Sequence, residues 1–395
     1  MNKDILKYYV YSALSSFLFF LPVVYIFFKD SGLSFTQIFI TETIFSIGVV
    51  LFEVPTGALA DYIGRKKSIL IGALLWILSC FVFFIGSDFF AFAIGQLICA
   101  MAVAFISGAD TALFYEILHR QNKEKDFKKY QGTAQLISLA SISFASLMGG
   151  FIASVNMKLT FVLSAVAFAI LFFVVASIKS KETAKGDERP HYLKVITESF
   201  SIIKSSKWIL WIFLFSGIVG ATFKTIYPLT QVYMQTSELD IKYFGLASAY
   251  FFLVAAIASK IANGFELFFK KWSYFVLSLL LIIPIFVVSS VVFKAGFLIF
   301  GLVFFVSSIS SVITNHEILK ATPESKHATV LSFNNLLYHS IFAVSSPFFG
   351  YYLGVLGFND ALFIFGLILT AIFFVIFVSY LIVILKKFQS MTPLG

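Results

Sequence analysis

GALADYIGRKKSIL, residues 57–70, places one acid and three adjacent bases between two apolar runs. Upstream lies FTQIFITETIFSIGVVLFEVPT (35–56) and downstream SILIGALLWILSCFVFFIG (68–86). A helix crosses a bilayer in roughly 20 residues, so each flank is long enough to span one. Such runs recur along all 395 residues, of which 59% are hydrophobic and 12% charged, where soluble domains carry about 25% charge. The composition predicts an all-α polytopic membrane protein.

Polar punctuation divides the chain into twelve spans, at about 5–28, 35–60, 68–86, 89–115, 130–154, 157–179, 207–234, 241–264, 273–293, 295–319, 329–355 and 358–385. The first run follows Lys3 and Lys7 as a signal peptide would. It is long and lacks a small-residue cleavage site, so it reads as the first transmembrane helix. Cys80 and Cys99 both fall inside apolar runs, which argues against a disulfide framework or a metal site. No metal and no cofactor are expected.

The net charge of +9 is spread over short segments between apolar runs. That pattern fits membrane topology rather than nucleic-acid binding. With the N-terminus on one side, that side collects 24 of the 29 Lys and Arg residues; the other holds Lys29, Lys158, Lys242 and Lys294, and Lys224 lies within a span. The positive-inside rule places both termini in the cytoplasm. The longest gap contains SKETAKGDERPH (180–191) and reads as a cytoplasmic linker. The expected organisation is an N-terminal six-helix bundle (1–179), a linker (180–206) and a C-terminal six-helix bundle (207–395).

The halves repeat. FYEILHR (114–120) and NHEILKA (315–321) superimpose Glu116 on Glu317 at an offset of 201, and ASLMGG (145–150) matches SSPFFG (345–350) at 200. Two matches at nearly one offset, each in its corresponding span, suggest a duplication. A six-plus-six repeat is an architecture of secondary transporters.

The opening stretch, Gly57-x-x-x-Asp61-x-x-Gly64-Arg65-Lys66, resembles the loop signature of the major facilitator superfamily. EVPTGALADYIGRKK (53–67) and SGADTALFYEIL (107–118) resemble a bacterial branch of uncharacterised permeases and efflux proteins. The resemblance implies a conformational latch made by Gly57, Asp61, Gly64, Arg65 and Glu116, and a central cavity lined by spans one, two, four, five, seven, eight, ten and eleven. Physical chemistry supports the latch. Asp61 sits near the C-terminus of a helix, where the dipole is already negative, so it needs a positive partner. Arg65 is close in sequence, with Glu116 as a further partner for it. Lys66 and Lys67 read as topology anchors. The pattern departs from the family at Tyr62, where a base is common, and at Gln96, near the place of a membrane arginine linked to proton coupling. SISFASLMGG (141–150) keeps Gly149 and Gly150 of an antiporter signature but lacks its proline.

Ionisable groups within spans are costly and therefore functional candidates. The pathway candidates are Glu42, Asp110, Gln135, Lys224, Asn334, Asn335 and His339. Asp110, like Glu53, fits either ligand contact or latch support, and the two asparagines fit either solute contact or helix–helix hydrogen bonding. Counted from the span centres, Lys224 and Glu42 lie roughly 5 and 8 Å toward the outer side. The matching depths suggest a pair in which Lys224 attracts a negative group on the solute and Glu42 releases it and takes a proton. A static ion pair that only aids packing is the alternative.

The sequence thus predicts a monomeric secondary active transporter in the bacterial cytoplasmic membrane. Its partners would be the lipid bilayer, a small organic solute and protons as coupling ion, with efflux of an amphipathic or anionic compound the leading direction. Metabolite uptake, a lipid scramblase and a non-transporting receptor are the rivals. Nothing resembles a nucleotide loop, an HExxH helix or a catalytic triad, so no enzyme is expected. Reporter fusions after residue 185 and at the C-terminus are both expected to report cytoplasm; an external location of either would contradict the topology.

Overall fold

The computed structural model describes residues 3–179, 206–322 and 327–389; within these ranges the side chains of residues 54, 58, 61, 128, 327–329, 332 and 382–389 lie outside the description. Among the described residues there are helices and turns and no strand. Among the described residues nine helical stretches are long and apolar enough to cross a membrane, and two of them, Phe89–His119 and Lys242–Ser290, run over two successive α-helices. The chain is an all-α, multi-pass membrane protein. It divides into two compact units, Met1–Arg189 with Met234–Phe252, and Pro190–Tyr233 with Leu253–Gly395.

The first unit begins with a departure from expectation. The run 5–28 is not one helix but two, α1 (Lys3–Leu14) and α2 (Val24–Asp30). Between them, Ser15 and Ser16 return their hydroxyls to the Ser12 carbonyl, and Pro22 supplies no backbone N–H. Irregular backbone at membrane depth must find its hydrogen bonds inside the protein. Here the Phe19 N–H donates to Ser164 Oγ at 3.0 Å. Hydropathy cannot see such a break because the residues remain apolar.

α3 (Phe35–Ile63) starts in a reciprocal cap: Gln37 N donates to Ser34 Oγ at 3.2 Å, and Ser34 N donates to Gln37 Oε1 at 2.9 Å. It ends at Gly64, whose φ of 98° is left-handed, and α4 (Arg65–Ile85) begins at the next residue. Glycine adopts that conformation without a Cβ penalty. The expected fourth span is also interrupted. α5 (Phe89–Ile106) stops at Ser107, Gly108 takes φ 74°, and α6 (Ala109–His119) follows. α7 (Phe127–Val155) and α8 (Lys158–Ala176) complete the segment. α4 packs against both α5 and α8, and α3 against α5.

Residues Met234–Phe252 join this unit through small residues. A Cβ on Gly150 of α7 would lie 2.6 Å from Gly245 N and 2.8 Å from Lys242 O. A side chain at either glycine would force the backbones apart. Lys29 Nζ donates to Gln235 Oε1 at 2.8 Å, and Gln235 Nε2 donates to Asp30 Oδ1 at 3.3 Å, so one amide answers both charges at the end of α2.

The second unit contains most of α9 (Lys207–Thr236) and α10 (Lys242–Phe269), then α11 (Ser273–Ser290), α12 (Gly301–Lys320), α13 (His327–Leu356) and α14 (Phe358–Gln389). The expected tenth span opens as a 3-10 turn, Lys294–Phe300, before α12. Tyr233 OH accepts from Phe293 N at 3.1 Å and lies 3.2 Å from the Phe293 carbonyl, holding the entry to that turn. At the other end Trp208, Trp211, Tyr274 and Tyr380 form an aromatic cluster. Two of its polar handles reach backbone carbonyls: Trp211 Nε1 donates to the Ile376 carbonyl at 3.0 Å and Tyr380 OH to the Lys271 carbonyl at 2.7 Å.

Gly245→Val is expected to destabilise the purified protein by roughly 1–3 kcal/mol through overpacking. Gly354→Ala, whose methyl meets open space, is expected to leave the melting temperature in detergent unchanged.

Candidate functional site

The charged turn that interrupts the oily chain is built by helix ends. Arg65, the first residue of α4, places Nη1 2.7 Å from Glu116 Oε1 on α6 and 3.3 Å from the Ala112 carbonyl. Both side chains are about one-third exposed (35% and 34%), so the ion pair itself stabilises by only about 0.2–1 kcal/mol. Gly57 is half-buried on α3, and Gly64 has open space around its missing side chain. Asp61 falls in the last turn of α3, but its side chain lies outside the described residues.

The neighbouring lysine has a role that the sequence reading did not assign. Lys66 Nζ donates to the Ala176 carbonyl at 2.6 Å and to the Ile178 carbonyl at 2.8 Å, and Lys7 Nζ donates to the Ser177 carbonyl at 2.6 Å. These are carbonyls at and just beyond the end of α8, where no further turn satisfies them and the dipole favours cations. Lys66 is thus more than a topology anchor; it ties α4 to the end of α8.

Deeper in the first unit, Glu42 is 7% exposed on α3. Gln96 of α5, also 7% exposed, donates from Nε2 to Glu42 Oε1 at 2.6 Å. The short distance fits a charge-assisted bond. The position marked in the sequence as a replaced arginine therefore meets the acid through a neutral amide. Asp110 is placed differently. It stands in the first turn of α6 just after Gly108, with Oδ1 accepting from Thr111 N at 2.5 Å. An acid at a helix N-terminus is favoured by the dipole, which accounts for it structurally. Gln135 is exposed on α7.

In the second unit Lys224 is half-buried on α9. Its Nζ lies 3.2 Å from His339 Nδ1 and 4.9 Å from the centre of the Phe342 ring. An ammonium donates to Nδ1 only when that nitrogen carries no proton, so this contact ties the Lys224 charge to the His339 tautomer. His339 is 8% exposed and stacks on Tyr338 at 4.4 Å. Asn334, 6% exposed, donates from Nδ2 to Ser216 Oγ at 3.0 Å, whereas Asn335 is exposed. Sequence reasoning singled out Lys224, His339 and Asn334 separately; the contacts from Lys224 to His339 and from Asn334 to Ser216 emerge only in the fold. Ser216, Ser310 and Thr314 were missed, although SSISSVIT (307–314) is a conspicuous hydroxyl run for a membrane span.

With this geometry in place, the family is clear. The model of the Major Facilitator Superfamily matches residues 8–345, and the chain belongs to that superfamily of membrane transporters. It is 28% identical over 307 residues to the quinolone resistance protein NorA of Staphylococcus aureus strain MRSA252, covering 72% of this chain and 74% of NorA. It is 26% identical over 361 residues to the uncharacterized MFS-type transporter YxaM of Bacillus subtilis strain 168, covering 87% and 89%. Among solved structures, the nucleoside transporter NupG superimposes with a TM-score of 0.79 at 12% identity, over 96% of this chain and 99% of NupG. A bacterial homolog of the human lysosomal transporter Spinster, in an inward-facing and unoccupied conformation, gives 0.74 at 12% identity over the whole of both chains. At such identities these two establish the fold alone.

Gln96→Leu removes a donor from a buried acid and is expected to destabilise by roughly 1–3 kcal/mol. Glu42→Gln keeps a hydrogen-bonding partner for Gln96 and removes a buried charge, so its melting temperature in detergent is expected to stay nearer that of the wild type.

Proposed function

We propose that this chain is a secondary active transporter that exports a small amphipathic or anionic organic solute by alternating access, with protons as the coupling ion. The observation that carries this reading is Glu42, an acid buried on an apolar helix and held by the neutral Gln96. A carboxyl kept inside a span despite its cost is a candidate proton relay, which is what coupling requires. Lys224 serves as the electrostatic attractor for the solute, and its hold on His339 and Phe342 keeps it supported when no solute is bound. Similarity to NorA supports export, and a quinolone, an aromatic carboxylate, is the natural first probe.

The two six-helix halves, 1–179 and 207–395, are the moving bodies in this proposal, and 180–206 joins them. Gly57, Asp61, Gly64, Arg65 and Glu116 form the latch, whose weak individual bonds suit a contact that must open in each cycle. Asp110, Gln135, Asn334 and Asn335 supply further polarity to the pathway. The protein acts as a monomer in the bacterial cytoplasmic membrane, with both termini in the cytoplasm as the charge bias requires.

Reconstituted vesicles with an imposed pH gradient test the reading. Gradient-driven accumulation of a fluorescent quinolone is expected, and collapse of the gradient by an ionophore should abolish it. Glu42→Gln should flatten the pH dependence of transport, and Lys224→Met should abolish solute-induced stabilisation. Wild-type transport with unchanged pH response in both variants would exclude these residues from the pathway.

A further inference from the structure

Many of the described helical hydroxyls return to their own backbone. Ser278, Ser290 and Ser345 each donate to the carbonyl four residues back, at 2.8 to 2.9 Å. This is the ordinary way for a serine to rest inside a helix in an apolar environment. Ser216 and Ser310 of the second unit show no such bond. Ser216 on α9 has its contacts with side chains, Asn334 Nδ2 at 3.0 Å and Thr314 Oγ1 at 3.4 Å. Ser310 on α12 is 2% exposed, and its Oγ has no hydrogen-bond partner among the described residues.

The same junction holds a second orphan. Asn334 spends Nδ2 on Ser216, while its buried Oδ1 has no partner among the described residues. Thr314, fully buried, directs its hydroxyl hydrogen to the Ser310 carbonyl at 2.7 Å, which leaves the lone pairs of its oxygen turned elsewhere. Three helices thus meet in one polar network: Ser216 of α9 touches Asn334 of α13 and Thr314 of α12, and Ser310 stands one turn before Thr314 on α12, its carbonyl taking the Thr314 hydroxyl. An unsatisfied buried oxygen costs about 1–3 kcal/mol, so two at one junction call for an occupant.

We infer that Ser216, Ser310, Thr314 and Asn334 form a binding site for a sodium ion. Their chemistry narrows the choice. None of the four titrates near neutral pH, so the cluster cannot hold a proton as its cargo. Hard cations take oxygen ligands, and the unsatisfied atoms here are one amide carbonyl and one hydroxyl. No carboxylate belongs to the cluster, which disfavours a divalent ion. Three of the four residues are at most 6% exposed, so the site fits a monatomic ion rather than part of an organic solute. Lys224 lies eight residues further along α9, roughly 12 Å away, outside the reach of direct coordination. The sodium reading is separate from the proposed proton-coupled export. It supplies the second unit with an ion that bridges three helices, and it is measured without any solute.

Radioactive sodium binding to the purified full-length protein, read by scintillation proximity, tests the inference. Saturable binding displaced by NaCl and not by equimolar KCl is expected. Sodium should also raise the melting temperature relative to potassium or choline at equal ionic strength. Asn334→Ala and Ser310→Ala should each weaken binding at least tenfold, while Thr314→Ser, which retains the oxygen, should keep it. If Asn334→Ala does not fold, Ser310→Ala and Thr314→Ser carry the comparison. Absence of saturable sodium binding in the wild type would overturn the inference in favour of water alone, as would binding that survives unchanged in Ser310→Ala.

Discussion

A polar group carried into hydrocarbon must find its partner inside the protein, and this requirement accounts for most of what distinguishes the chain from a set of oily helices. It explains why the break between α1 and α2 coincides with Ser164, whose hydroxyl accepts the Phe19 amide. It explains why Lys66 and Lys7 reach the carbonyls that end α8. It also explains the neutral amide of Gln96 beside the buried Glu42. In each case a group that hydropathy registers as a small interruption is answered by one distant in sequence.

The two units meet the constraint differently. In the first, acids are held by an amide, by a helix N-terminus or by an arginine, as at Glu42, Asp110 and Glu116. In the second, the deep charge is a base, Lys224, supported by a second base and an aromatic face. The two units thus differ in the chemistry of their interiors. Two acids that the sequence aligns are also met differently: Arg65 pairs with Glu116, whereas Glu317 accepts from the indole of Trp208 at 3.2 Å.

The fold class was legible because it rests on the length and apolarity of segments, and the turn at Gly64 because glycine, acid and bases stand together there. The interruption of the first span was not, since residues 15–23 are nearly as apolar as their neighbours; only Ser15, Ser16 and Pro22 hinted at it. Glu42, Lys224, Asn334 and His339 were legible as costly residues, but their partners were not. Partnership depends on which helix faces pack together, and apolar helices carry little amphipathic signal to reveal it. The roles of Ser216 and Ser310 were hidden for a further reason. A serine that satisfies its own helix and one that points at a neighbour have the same sequence.

The functional account depends most directly on Glu42 being a titratable acid that Gln96 holds inside the membrane. Infrared difference spectroscopy of the purified protein between acid and alkaline pH measures this without a transported solute. A pH-dependent carboxyl band is predicted that disappears in Glu42→Gln and shifts in frequency in Gln96→Leu. Identical pH-difference spectra for wild type and Glu42→Gln would contradict the account.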